Sequence, residues 1–226
     1  MKKNHFAFVM LLCSLVPEVC SCQHTEDAIS LIDLQLKKGQ ITVSKILSSD
    51  SLMYLHSLTR FREVIRSNAR AEKLSMVTDK EPGTRISVKC RVTDTKGVPQ
   101  KDLLVYVYQT SDKGWYSDTG AHILVNSGDV NYARLFGYLK TDDKGEIVIE
   151  TIRPKGYPRS DLPAHIHIHF WSAAARPLRG PGELLFDDDP RLTPERKSRS
   201  LEEGYLISKN TGTEQKPVYE YKITTE

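Results

Sequence analysis

Hydrophobic positions fall into three patterns along this chain: an unbroken run near the N-terminus, helical spacing from 41 to 75, and alternation beyond 84. In "ITVSKILSSDSLMYLHSLTRFREVIRSNARAEKLS" the apolar residues Ile46, Leu47, Leu52, Leu55, Leu58, Phe61, Val64 and Ile65 predict one or two amphipathic helices, with Ser49 or Asp50 as N-cap of the second. After "DKEPG" the period falls to two. "TRISVKCRVTD" and "LLVYVYQT" read as strands. "RLFGYLKT", "DDKG" and "EIVIETI" read as strand, tight turn and strand, "AHIHIHFW" as another strand, and "GELLF" and "VYEYKIT" as shorter ones. Such spacing, broken by Gly, Pro and Asp, predicts a mainly β fold: an antiparallel β-sandwich with a helical N-terminal segment.

The unbroken run, "FAFVMLLCSLV" after "MKK", has the charged start and short apolar core of an export leader and is too short to span a bilayer. Residues 1–22 are therefore expected to be a signal peptide, 23–80 a polar tether and helical segment, and 81–226 the β domain. Val19-Cys20-Ser21-Cys22 is similar to a bacterial lipoprotein box in which Cys22 would carry the lipid, although Cys20 is atypical there; without lipidation the reading is plain secretion. The expected location is periplasmic, extracellular or tethered to a membrane through Cys22.

Composition narrows the classes. The 226 residues are 39% hydrophobic and 27% charged, enough for one packed core of ordinary size. A net charge of +3, with no basic run interleaved with aromatics, excludes nucleic acid as a partner. Three of the four cysteines, Cys13, Cys20 and Cys22, lie in the leader, so the mature chain has no disulfide framework. Cys90 reads as a small buried hydrophobe, and no CxxC pair offers a thiolate zinc site.

"PAHIHIHF" sets His165, His167 and His169 at every second position. On a strand they share one face, with Ile166 and Ile168 on the other. Neighbours in the row stand about 7 Å apart and the outer pair about 13 Å, so two can converge on one ion and the third is a bystander. The residues alone leave open which two, and leave open a merely polar, half-exposed strand face.

Three segments, taken in order with this row, resemble the intradiol ring-cleavage dioxygenases, the family of catechol and protocatechuate 3,4-dioxygenases. They are "KGVPQKDLLVYVYQTSDKGWY", "KTDDKGEIVIETIRPKGYP" and "PAHIHIHF", and "ELLFDDDP" adds a fourth match; together they span roughly residues 83 to 190. The resemblance implies a mononuclear Fe(3+) held by Tyr116, Tyr157, His165 and His167, with His169 as a neighbour. It implies that a catechol-type diol and O2 are the substrates, that Tyr116 leaves the metal to accept a diol proton, and that the ring opens between its hydroxyl-bearing carbons to a muconate-type diacid. Phenol is a poor anionic ligand near neutral pH, with a pKa near 10, and a ferric ion overcomes this by its charge. No carboxylate is expected in the role it has in ferrous 2-His-1-carboxylate sites.

Two positions depart from the family pattern. Leu162 stands where catechol-cleaving members have an arginine, so Arg159 is the expected source of positive charge at the substrate, with Arg153 or Arg134 as other sources. Glu183 stands where the family has glutamine. Trp115 and Trp171 are expected to wall the pocket or pack in the core, and Tyr106 and Tyr108 to pack. Tyr132 and Tyr138 are within reach of the site from the loop before the hairpin without an assigned role, and His122 is expected to be solvated and His56 structural or solvated. The competing reading is a secreted β-sandwich binding or structural module, which has no use for the tyrosine pair. A zinc hydrolase built on the histidine row is a third.

Overall fold

A computed structural model describes residues 19–123 and 128–226. The leader through residue 18, the side chains of Cys20 and Cys22, and the loop stretch 124–127 lie outside the described residues. In chain order the elements are α1 (Val19–Lys37), α2 (Val43–Leu47), a 3-10 segment (Asp50–Leu55), α3 (Thr59–Ser67), β1 (Leu74–Ser75), β2 (Arg85–Thr93), β3 (Leu104–Gln109), α4 (Gly128–Tyr132), β4 (Leu135–Lys140), β5 (Glu146–Ile152), β6 (His165–Trp171), β7 (Pro177–Leu178), β8 (Glu183–Phe186), α5 (Pro194–Glu202), β9 (Leu206–Ser208) and β10 (Val218–Thr224). No helix among the described residues is long and apolar enough to cross a membrane.

The strands form two mixed sheets, β1-β5-β2-β10 and β4-β3-β6-β8-β9, with β7 added at the end of β6. The antiparallel expectation fails at β1–β5, β2–β10 and β8–β9, which run parallel. Parallel neighbours need a long connection, and each of these pairs has one, such as α5 between β8 and β9. The "DDKG" turn forms, with Gly145 at φ 72°, but the strands it joins do not pair. β4 pairs with β3 while β5 pairs with β2, because Ile147 and Ile149 of β5 sit beside Cys90 and Val88 in one buried row. A turn sets the reversal; matching apolar rows set the partner.

Alternation gives each sheet one oily face. Val88, Cys90, Tyr219, Tyr221 and Ile223 cover one sheet, and Val105, Val107, Ile166, Ile168, Phe170, Leu184 and Phe186 the other. The faces meet where Phe186 lies 4.7 Å from Tyr219 and where Gln109 bonds to the Ile152 carbonyl and the Thr151 hydroxyl. Ile29, Leu36, Leu47 and Phe61 of the helical region join the same buried cluster. α1 is a long helix where the polar text of 23–40 suggested a tether or a short helix. Its apolar stripe of Ile29, Ile32 and Leu36 is narrow but fully buried, and Asp33 accepts from Asn68 at the end of α3. Ser49 precedes the 3-10 segment without capping it, whereas Thr42 caps α2.

His56 is structural and buried. Its ring stacks 5.4 Å from Phe61 and its Nδ1 donates to the Arg134 carbonyl at 2.9 Å. Burial pulls its pKa down to about 4. The unfolded chain protonates this ring more readily, so its contribution is full above the ordinary value of 6.5 and is lost as pH falls toward 4, by about 3 kcal/mol. Urea midpoints are expected to fall more steeply from pH 7.5 to 4.5 in the parent chain than in His56→Gln; parallel falls contradict the assignment.

Candidate metal centre

The second face of the six-stranded sheet carries the polar and aromatic groups. Register places Tyr108 of β3 beside His167, with Phe136 beyond it on β4 and Glu183 on the far side on β8. Tyr106 pairs with His169 in the next row.

Two loops close over this face. Tyr116 leaves the turn after β3, its carbonyl accepting from the Arg134 amide at 2.8 Å. Tyr157 follows β5. The loops approach glycine on glycine: a Cβ on Gly114, at φ +78°, would stand 2.5 Å from the Gly156 carbonyl oxygen. That close approach brings the two tyrosine side chains together. Gly114→Ala is expected to destabilise the chain by about 1–3 kcal/mol through strain at positive φ and this clash. It should also weaken any metal bound between the loops, and unchanged stability by denaturant titration contradicts this.

The structure brings Tyr116, Tyr157, His165 and His167 to one point. Tyr116 Oη lies 2.7 Å from Tyr157 Oη and 2.8 Å from His167 Nε2. Tyr157 Oη lies 2.9 Å from His165 Nε2, and the two Nε2 atoms are 3.1 Å apart. His165 Nδ1 faces the Pro163 carbonyl at 2.9 Å and can only donate there, so its Nε2 presents a lone pair. Four close contacts therefore share at most three protons: one on each phenol and one that His167 could carry on Nε2. A ring of converging lone pairs with too few protons is suited to a cation. Ligand atoms about 2.0–2.1 Å from one ion stand about 3 Å from each other, as these do.

The electrostatics agree. Burial pushes the Tyr116 phenol far above its usual range, with Tyr157 beside it adding to the shift, and pushes Tyr157 up to about 12. Burial, then His165 and His169, holds His167 down at about 2, so its imidazole is neutral and ready to ligate. His169 stays outside the cluster, with its Nε2 buried without a partner and its ring parallel to Tyr108 at 5.9 Å.

Several positions were not legible in advance. Tyr108, expected only to pack, lies flat against the His167 ring at 4.4 Å and fixes its plane. Asp189 accepts from the Ala164 and Arg191 amides, and Arg191 donates to the carbonyls of Tyr157 and Leu162. This clamp holds the Tyr157 loop against the start of β6; "ELLFDDDP" was its only signal. Glu183, read from the sequence as a departure beside the substrate, stands next to a ligand histidine instead. Its Oε1 is 3.8 Å from His167 Nδ1, and metal-competent atoms of His165, His167 and Glu183 lie within 4.8 Å of one another.

The arginines do not enter the cluster. Arg159 sits at φ 59° with its side chain in solvent, and Leu162 is 40% exposed. Arg134 is held by Glu81 at 2.6 Å, and Arg153 pairs with Asp188 at 2.8 Å while covering Phe186. Trp115 lines a separate cavity with Glu81 and Arg134, and Trp171, Tyr132 and Tyr138 line another with Arg62 and Arg66. His122 is half exposed, but its ring lies 4.7 Å from Tyr157 and its Nδ1 2.7 Å from Asp129.

A mainly β protein that gathers two phenols and two imidazoles on one sheet face defines a candidate non-haem metal protein. The profile of the dioxygenase family matches residues 61–224. The chain belongs to the intradiol ring-cleavage dioxygenase family. Its fold is similar to that of a dioxygenase domain, from a carbohydrate-binding fusion protein of Streptomyces sp. SirexAA-E, at 21% identity and a TM-score of 0.51, covering 69% of this chain and 88% of that one. It is similar to an intradiol ring-cleavage dioxygenase of Tetranychus urticae at 16% identity and TM-score 0.51, covering 70% and 87%. It is similar to a chlorocatechol 1,2-dioxygenase of Pseudomonas putida at 15% identity and TM-score 0.51, covering 93% and 100%.

Proposed function

We propose that Tyr116, Tyr157, His165 and His167 hold a ferric ion and that the chain opens a catechol-type ring between its hydroxyl-bearing carbons with O2, giving a muconate-type diacid. The observation that carries this reading is the four-atom cluster with contacts of 2.7–3.1 Å and fewer protons than contacts. The donor set suits a hard, highly charged cation, because only strong positive charge ionises two phenols whose burial favours the neutral form. A ferric ion held by these four residues would supply Lewis acidity and the electron-withdrawing pull that activates a diol toward O2.

The chain's own residues divide the remaining work. A phenol that swings aside to take a diol proton needs free volume. Tyr116 is 1% exposed, whereas Tyr157 is half-buried beside the exposed His122. We therefore assign the proton-accepting role to Tyr157 rather than Tyr116. Burial favours the protonated form of its oxygen, which is therefore basic enough to take a proton from another phenol, whose ordinary pKa is near 10. Tyr108 and the Asp189–Arg191 clamp keep His167 and the Tyr157 loop in place. With Leu162 in the arginine's position and Glu183 nearby, the site favours a neutral or cationic catechol over one bearing a ring carboxylate. The leader-like pattern of residues 1–22 supports a location outside the cytoplasm.

Oxygen uptake and the ultraviolet absorbance of the diacid, measured on iron-loaded protein, test the reading. Uncharged catechol is expected to exceed a carboxylated one by more than about tenfold in kcat/KM, or 1.4 kcal/mol. Iron-loaded protein that consumes no oxygen with any catechol contradicts ring cleavage.

A further inference from the structure

His167 is held on two sides. The Tyr108 ring lies flat against one face at 4.4 Å, and Glu183 occupies the directly opposed position on β8. Its Nε2 is turned to Tyr116 and His165, which leaves Nδ1 pointing toward Glu183 Oε1 at 3.8 Å. Among the described residues no hydrogen-bond donor reaches the Glu183 carboxylate, and its side chain is 25% exposed. A rotation of this flexible side chain by less than about 1 Å closes the gap to hydrogen-bond length.

We propose that Glu183 is a positioning residue for the metal centre: its carboxylate takes the Nδ1–H of His167, fixes the tautomer that leaves the Nε2 lone pair to the cation, and strengthens that nitrogen as a donor. This rests on the metal reading given above. An ionised carboxylate can only accept, so in that form it cannot turn a donor toward Nδ1, whereas an amide can present either end. Its charge also polarises the N–H and pushes electron density toward the opposite nitrogen. The two imidazoles are then unequal. His165 is backed by the neutral Pro163 carbonyl at 2.9 Å, whereas His167 would be backed by the Glu183 carboxylate, 3.8 Å away in the structure. Glutamate at a position where the family pattern has glutamine makes this asymmetry a feature of this chain.

The test compares the full chain with Glu183→Gln and Glu183→Asp, each loaded with ferric iron. The readouts are the tyrosinate-to-iron charge-transfer band and iron retention against a chelator. Glu183→Gln keeps the shape and removes the charge. It is expected to lose roughly 10- to 100-fold in iron affinity and to shift its band to longer wavelength, because a weaker imidazole donor leaves the iron a stronger acceptor. Glu183→Asp keeps the charge on a shorter arm and should recover part of the shift. A coloured parent with a Glu183→Gln variant of identical band and affinity overturns the role of Glu183 and leaves the metal reading intact, as does a Glu183→Asp band displaced as far as that of Glu183→Gln. A parent that takes up no iron overturns the metal reading and the role together.

Discussion

Tyr157→Phe is expected to yield a folded protein that neither retains ferric iron tightly nor opens a catechol ring. The substitution removes one oxygen from a half-buried side chain. In the structure that oxygen lies 2.7 Å from Tyr116 Oη and 2.9 Å from His165 Nε2. Such contacts contribute about 1 kcal/mol each, and Tyr116 keeps its bond to His167, so the unfolding midpoint moves little. The metal loses one of two anionic donors. Iron affinity should fall by more than about 100-fold, beyond the range seen when a ligand's outer partner is removed. Turnover in any fraction that keeps iron should fall by about 10²–10⁴-fold, because the proposed proton acceptor has gone. Iron content, visible spectrum and oxygen uptake check the three effects separately. A variant with parental iron and turnover removes Tyr157 from the site.

Phe136→Ala is expected to have the opposite signature, with a large loss of stability. Phe136 is fully buried, with the Arg62 guanidinium 3.6 Å above its ring and the His56 ring T-shaped to it at 5.4 Å between centroids. Truncation leaves a cavity and strips a buried cation of its aromatic cover. The cost is about 3–5 kcal/mol, equivalent to a fall in Tm of roughly 6–20 °C for a chain of this size. Phe136 also pairs in register with Tyr108, which lies against His167, so the loss should loosen the site at temperatures below global unfolding. A denaturant midpoint within error of the parent contradicts this account of the core.

These two residues show what the sequence carried and what it did not. The alternation in "RISVKCRVT", "LVYVYQ" and "HIHIHFW" was enough to place β2, β3 and β6, because burial of one face enforces period two. The tyrosine and histidine positions were legible through their motifs. Strand order was not: "DDKG" announced a reversal, yet β4 and β5 went to different sheets. β1, β7 and β9, of two or three residues each, are too short to show a period. Cross-strand neighbours depend on register, so Tyr108 and Glu183 beside His167 could not be read from spacing along the chain. Arg159 looked available as a charge because it lies close in sequence to Tyr157, but a turn at φ 59° leaves its side chain in solvent.

Metal content and the visible spectrum of the purified full chain, recorded together before and after addition of catechol, test the central claim most directly. One ferric ion per chain, a burgundy colour from tyrosinate-to-iron charge transfer and a band that shifts on catechol addition are expected. Colourless protein without iron after expression and purification with ample ferric iron contradicts the account at its root.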